Sequence, residues 1–219
     1  MATSRSHRPA PTAALAAAAA VATIVALVVL LAAPTAARAA TRSLGAGTAT
    51  FRLDSVETAT LMDDLLMPFP VAPAKLSFTT TTATLSAPVS GGSWNTSTGR
   101  GTFRLRGGLT YILAEEIVTQ NGTSGQFVPF TMSGWRVGVG TSTGVSVAAN
   151  GTRTSRFLDQ SLNGTASVIT LHGHRYVKVT KLGLTFNTTS AGAISGVLLG
   201  RGPNAGDPFA SVTLLARLK

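Results

Sequence analysis

From Thr48 to the C-terminus apolar residues alternate with polar ones at a period of two, the spacing that gives a strand one core face and one outer face. Thr48–Leu53 opens the pattern. In Gly101–Arg106, Phe103 and Leu105 fall on one face, and Leu109, Tyr111 and Leu113 resume it after Gly107-Gly108. Trp135, Val137 and Val139 follow, then Val145 and Val147, Tyr176–Val179, then Leu182, Leu184 and Phe186, and a last run from Val212 to Leu218. The dipeptides Asn121-Gly122, Asn150-Gly151 and Asn163-Gly164 fall between these runs. Asn-Gly supplies the two positive-φ residues of a two-residue hairpin turn, so antiparallel connections are predicted. One stretch, Ser55–Met67, breaks the alternation, with Val56, Leu61, Leu65 and Leu66 as its apolar positions. It is predicted as the only helix, with Ser55 as cap and Pro68 and Pro70 as stop. The pattern predicts an all-β fold, an antiparallel β-sandwich with one short helix beside it, and an incomplete barrel as the other arrangement.

The first forty residues also lack this character. Arg5, His7 and Arg8 precede an apolar run from Ala13 to Ala33, and Pro34 leads to Ala37-Arg38-Ala39. A basic head, an apolar middle and a small-x-small site predict a secretory signal peptide, residues 1–39, cut after Ala39. An uncleaved anchor is the other reading, because the run approaches the about 20 residues a bilayer needs. Much of it is alanine, however, and its strongly apolar part, Val21–Leu31, has the length of a signal core. Residues 40–219 are then a single exported domain, with a secreted or cell-surface location expected.

Charge and cysteine content narrow the chemistry. Removing Arg5, Arg8 and Arg38 from the 18 Lys and Arg leaves 15 against 8 acids, a net charge of +7. The cations are scattered singly along the sequence, with Arg100, Arg104 and Arg106 the nearest to a cluster. Nucleic-acid binders concentrate charge on a helix or interleave it with stacking aromatics, so an anionic cell-envelope polymer or another surface protein is the expected partner. With no cysteine in the chain, thiolate catalysis and cysteine-ligated metals are excluded. The alanine-rich leader and the missing cysteines together suggest a bacterial source.

Few motifs carry chemistry. Gly140-Thr141-Ser142-Thr143-Gly144 has the spacing of a hydrolase nucleophile elbow, but β sequence follows where a helix is required, so a small-residue turn is predicted and an extracellular hydrolase built on Ser142 is the remote reading. His172-Gly173-His174, if on a strand, would turn two imidazoles to one side, a grip for a metal. Glu115 and Glu116 are neighbours on a predicted strand and face opposite ways, while Asp63 and Asp64 diverge on the predicted helix. Neither pair can share a site. Asn-x-Ser/Thr triplets at Asn95, Asn121, Asn150, Asn163 and Asn187 predict exposed loops.

Several segments carry a family resemblance: Thr48-Ala49-Thr50-Phe51-Arg52-Leu53, Pro70-Val71-Ala72-Pro73-Ala74, Ala87–Gly92, Gly99–Leu109 and Asp207–Val212. In this order they resemble the repeat units of secreted actinobacterial β-proteins, loosely similar to the HtaA-type haem-uptake domain. That resemblance implies a β-rich surface module binding haem through a tyrosine helped by a histidine. It places the histidine before Gly108, where this chain has Arg104 and Arg106, and its early tyrosine has no counterpart, since the tyrosines are Tyr111 and Tyr176. The expected function is therefore a non-enzymatic structural or binding module at the envelope, with no cofactor. The alternative is a haem or metal carrier using Tyr111, His172, His174 and Tyr176.

Overall fold

The computed structural model describes residues 41–63, 66–119, 122–140, 144–197, 200 and 202–219. The predicted signal peptide lies outside them. The alternating runs become strands: β1 (Thr41–Leu53), β5 (Arg100–Leu105), β6 (Gly108–Thr119), β7 (Gly122–Val139), β8 (Val145–Ala149), β10 (His174–Phe186) and β11 (Pro208–Leu218). β2 (Leu66–Val71), β3 (Lys75–Phe78), β4 (Ala83–Asn95) and β9 (Thr152–Leu171) complete the set. Every strand pairing is antiparallel. In space the strands follow the order β7-β5-β4-β1-β11-β10-β9-β8, and β8 pairs with β7 again, so the hydrogen bonds run in a ring. β6 and β2 continue outward from β7, and β3 pairs with β4. The all-β expectation holds.

The interior of the ring is filled. Trp135 of β7 packs edge-on against Phe51 of β1 at 5.0 Å and at a tilt against Phe209 of β11 at 5.9 Å, and Phe209 meets Phe186 of β10 at 5.2 Å. β7 and β1 are not neighbours in the ring, so this aromatic column joins facing walls across the middle. Phe130 stacks on Phe157 at 6.1 Å, tying β7 to β9 on either side of β8. The side-chain amide of Gln160 in β9 donates to the Gly138 carbonyl of β7, joining these two strands past the end of β8, which is only five residues long.

Several local expectations are corrected. α1 covers Ser55–Asp63 and stops before Leu66, which opens β2. Its cap is Asp54, whose Oδ1 accepts from the Val56 and Glu57 amides at 3.1 and 3.0 Å; Ser55 is already helical. Pro68 and Pro70 lie within β2, tolerated because among the described residues β2 pairs with β6 alone and leaves its other side to residues that cannot donate. A second helix, α2 (Thr188–Val197), was not predicted, its sequence being poor in helix formers and holding Gly192 and Gly196. Asn187 and Ser190 cap it reciprocally: the Ser190 amide donates to Asn187 Oδ1 at 2.9 Å and the Asn187 amide to Ser190 Oγ at 2.8 Å.

The three Asn-Gly dipeptides part company. Asn150 and Gly151, at φ 45° and 83°, form the predicted two-residue turn between Ala149 and Thr152. Asn163-Gly164 lies inside β9, where Gly164 at φ 66° faces the kink made by Lys181 at φ 58° in β10, so it bends a continuous strand pair. Gly122 is paired to Thr119 within the strands, and Asn121 lies outside the described residues. Gly140 and Gly144 bracket the β7–β8 connection, and Ser142 lies outside the described residues.

Trp135 is 1% exposed, and its truncation empties the space where the walls meet. Trp135→Ala is expected to lower stability by about 3–5 kcal/mol in urea unfolding; a loss below about 1 kcal/mol would show that the walls do not depend on it.

Candidate functional site

Antiparallel pairing decides which charges meet. The registers Thr41↔Asn95, Asn95↔Arg100, Gly101↔Val139, Leu44↔Leu218, Tyr176↔Arg217 and His174↔Leu171 place the start of β1, β5 and β10 and the finish of β4, β7, β9 and β11 at one end of the ring. Arg42, Arg100, His174, Arg175, Arg217 and Lys219 therefore share that end, all exposed. Asp54, Glu57 and Asp63, at α1, and Asp207, just before β11, lie at the other end. Asp159 is engaged by Arg156 at 2.8 Å. Among the described residues no side-chain carboxylate stands at the basic end.

His172 and Gly173, at φ 50° and 74°, are the central residues of the turn joining β9 to β10. The expectation that His172 and His174 share a strand face is corrected, since only His174 is on the strand. The residue two further along, Tyr176, lies on its side of β10. Tyr176 is opposite Arg217, whose Nη2 donates to His174 Nδ1 at 3.0 Å. A guanidinium only donates, so Nδ1 is the acceptor of this bond.

Two open clefts border this end. One, of about 660 Å³, is lined by Gly45, Ala46, Arg217, Leu218 and Lys219, where β1 bulges between Leu44 and Gly47. The other, of about 520 Å³, lies between the β4–β5 turn (Thr98, Gly99, Arg100), the end of β7 (Val139, Gly140) and the bent part of β9 (Asn163, Gly164, Ala166). Asn95 shapes that turn, its Oδ1 accepting from the Ser97 and Thr98 amides at 3.0 Å each.

Of the sequence-predicted site residues, His172, His174 and Tyr176 come together on the β9–β10 hairpin. Tyr111 does not join them there. It lies in β6 between Pro68 and Phe130 and is 3% exposed. Glu115 and Glu116 both lie in β6, and their side chains fall outside the described set. Among the described residues no three histidine or carboxylate groups converge on a metal position. The residues the sequence did not single out are Arg217 and Lys219, 43 and 45 positions from His174, which only the β10–β11 register brings near.

No family model and no curated protein matches this sequence. Among solved structures it is similar to the C-terminal domain of HtaA from Corynebacterium glutamicum, with a TM-score of 0.46, 9% identity, and 80% of this chain and 99% of that one covered. It is also similar to the heme binding protein HtaB from the same organism, with a TM-score of 0.48, 10% identity, and 82% and 96% covered. The HtaA-type domain is also the one that the sequence segments loosely resemble.

Burial pushes the Tyr111 hydroxyl well above its ordinary value, and the Glu57 carboxylate adds to the shift. Because the folded-state value is the higher, the contribution to stability is full below about pH 10, where an unfolded tyrosine ionises, and is lost as pH rises further. Tyr111→Phe is expected to flatten the alkaline fall in thermal stability between about pH 9 and about pH 11; an unaltered fall would assign it to other groups.

Proposed function

We propose that this chain is an exported binding module of a bacterial cell envelope, and that the basic end of its ring holds an anionic polymer. The observation that carries this is the segregation of charge: cations from four strands, β1, β5, β10 and β11, meet at one end with no described side-chain carboxylate to neutralise them. Each exposed contact is worth little alone, so binding of this kind is multivalent and its range is set by screening, about 8 Å at physiological salt. Open clefts suit a polymer lying across the end better than a small molecule enclosed on all sides.

The experiment is retention on isolated cell wall or on a glycerol-phosphate polymer at increasing salt. Affinity is expected to fall about tenfold or more between about 50 and about 200 mM monovalent salt, as it does when several fixed anions exchange their counter-ions. The combined Arg42→Gln, Arg100→Gln and Arg175→Gln variant is expected to bind at least about tenfold more weakly, whereas Arg52→Gln with Arg104→Gln, away from that end, leaves retention unchanged. Equal retention of both variants would refute the assignment.

A second reading is haem binding, as HtaB is described to do. The observation that favours it is His174 and Tyr176 on one side of β10, next to Arg217. Buried Tyr111 offers no such access. Under this reading hemin added to the protein gives a shifted Soret band that Tyr176→Phe abolishes; a spectrum identical to free hemin removes it.

A further inference from the structure

Arg217 donates to an imidazole rather than to a carboxylate. The register that sets Tyr176 opposite Arg217 brings His174 level with Lys219, two steps further along the same antiparallel pair. Lys219 is held in place: its amide donates to the Ser43 carbonyl at 3.0 Å, and its side chain runs over Gly45, where an added Cβ would meet Lys219 Cε at 3.1 Å. Arg217 and Lys219 thus line one cleft of about 660 Å³, and the His174 imidazole is hydrogen-bonded to Arg217 on the β10 side of it.

We infer that His174, Arg217 and Lys219 form a subsite for a phosphate-type oxyanion, and that protonation of His174 strengthens its hold. The inference rests on the polymer-binding reading and names the group of the polymer that is held. Donors approach from two adjacent strands and from the residue after β11, an arrangement suited to the oxygens of a tetrahedral phosphate more than to a planar carboxylate. Neutral His174 accepts the Arg217 hydrogen bond. Protonated, it loses that acceptor and stands as a third cation, and an anion between the groups then relieves the repulsion. Affinity therefore rises as pH falls through the imidazole range.

The charges around His174 do not oppose this sign. Its β9 neighbours, Leu171 and Ile169, are uncharged. His172 is in the turn, Tyr176 and Lys178 lie on the same side of β10, and Arg175 lies on the other side. From β11 comes Arg217, and Lys219 follows that strand directly.

The test is imidazole NMR of the folded protein titrated with dimethyl phosphate, whose charge is constant with pH, and in parallel with acetate. The His174 signals are expected to move while those of His172 stay, with about threefold tighter binding at about pH 5.5 than at about pH 7.5. Arg217→Gln is expected to weaken binding at both pH values, and His174→Gln to leave residual binding that no longer varies with pH. Equal movement of both histidines, an equal response to acetate, or a pH dependence surviving in His174→Gln would overturn the subsite. A His174 response without retention on the polymer would refute the polymer reading and leave the subsite, and polymer retention without a His174 response would do the reverse.

Discussion

The fold depends on Trp135 finding both its apolar partners and one polar one. A buried indole must place its N–H, and here Nε1 donates to the Met132 carbonyl at 2.9 Å, three residues back along the same strand. The chain folds back that far because Gly134 adopts φ 59°, and the β7–β8 register shifts across the same point, between Ser133 and Arg136. With its polar edge satisfied, the ring of Trp135 can lie against Phe51 and Phe209 on the facing wall. The kink in β7, the filled interior and the closure of the ring through β8 are linked by this one side chain.

The same antiparallel ring that encloses the core sorts the charges. Arg42, Arg100, Arg175 and Arg217 are dispersed over most of the sequence, and along it they look like dilute solvated cations. Each stands close to a strand terminus, and antiparallel pairing turns alternate termini to the same end. The acids escape that end because α1 and the segment before β11 follow strands that finish, or precede one that begins, at the opposite end. A basic surface is therefore a product of topology, assembled without any basic run in the chain.

Strands were legible where one face is buried and the other exposed, as at Phe103 and Leu105, or at Leu182, Leu184 and Phe186. Elements whose local signal conflicts with their fate were not. Pro68 and Pro70 read as a stop and became part of an edge strand, while Gly192 and Gly196 obscured a helix that Ser190, Ala191 and Ile194 bury on one face. Turn chemistry was equivocal in the same way: Asn163-Gly164 bends a strand, and His172-Gly173 makes the turn that Asn-Gly was expected to make. A positive φ satisfies a kink as well as a turn, and only the pairing of the flanking strands distinguishes them. Of the candidate site, His174 and Tyr176 were named from the sequence, but their neighbours Arg217 and Lys219 were not.

By itself the amino-acid sequence determined the class of the fold, its antiparallel character, most core residues and the exclusion of cysteine chemistry, because these follow from periodicity and composition, which are local. The tertiary structure alone decided that the strands close into a ring and that His174 meets Arg217 across 43 positions of chain. Those outcomes depend on which strand lies beside which and in what register, and that choice is made by the fit of large side chains such as Trp135, Phe51 and Phe209 in a shared interior. No spacing along the chain records it.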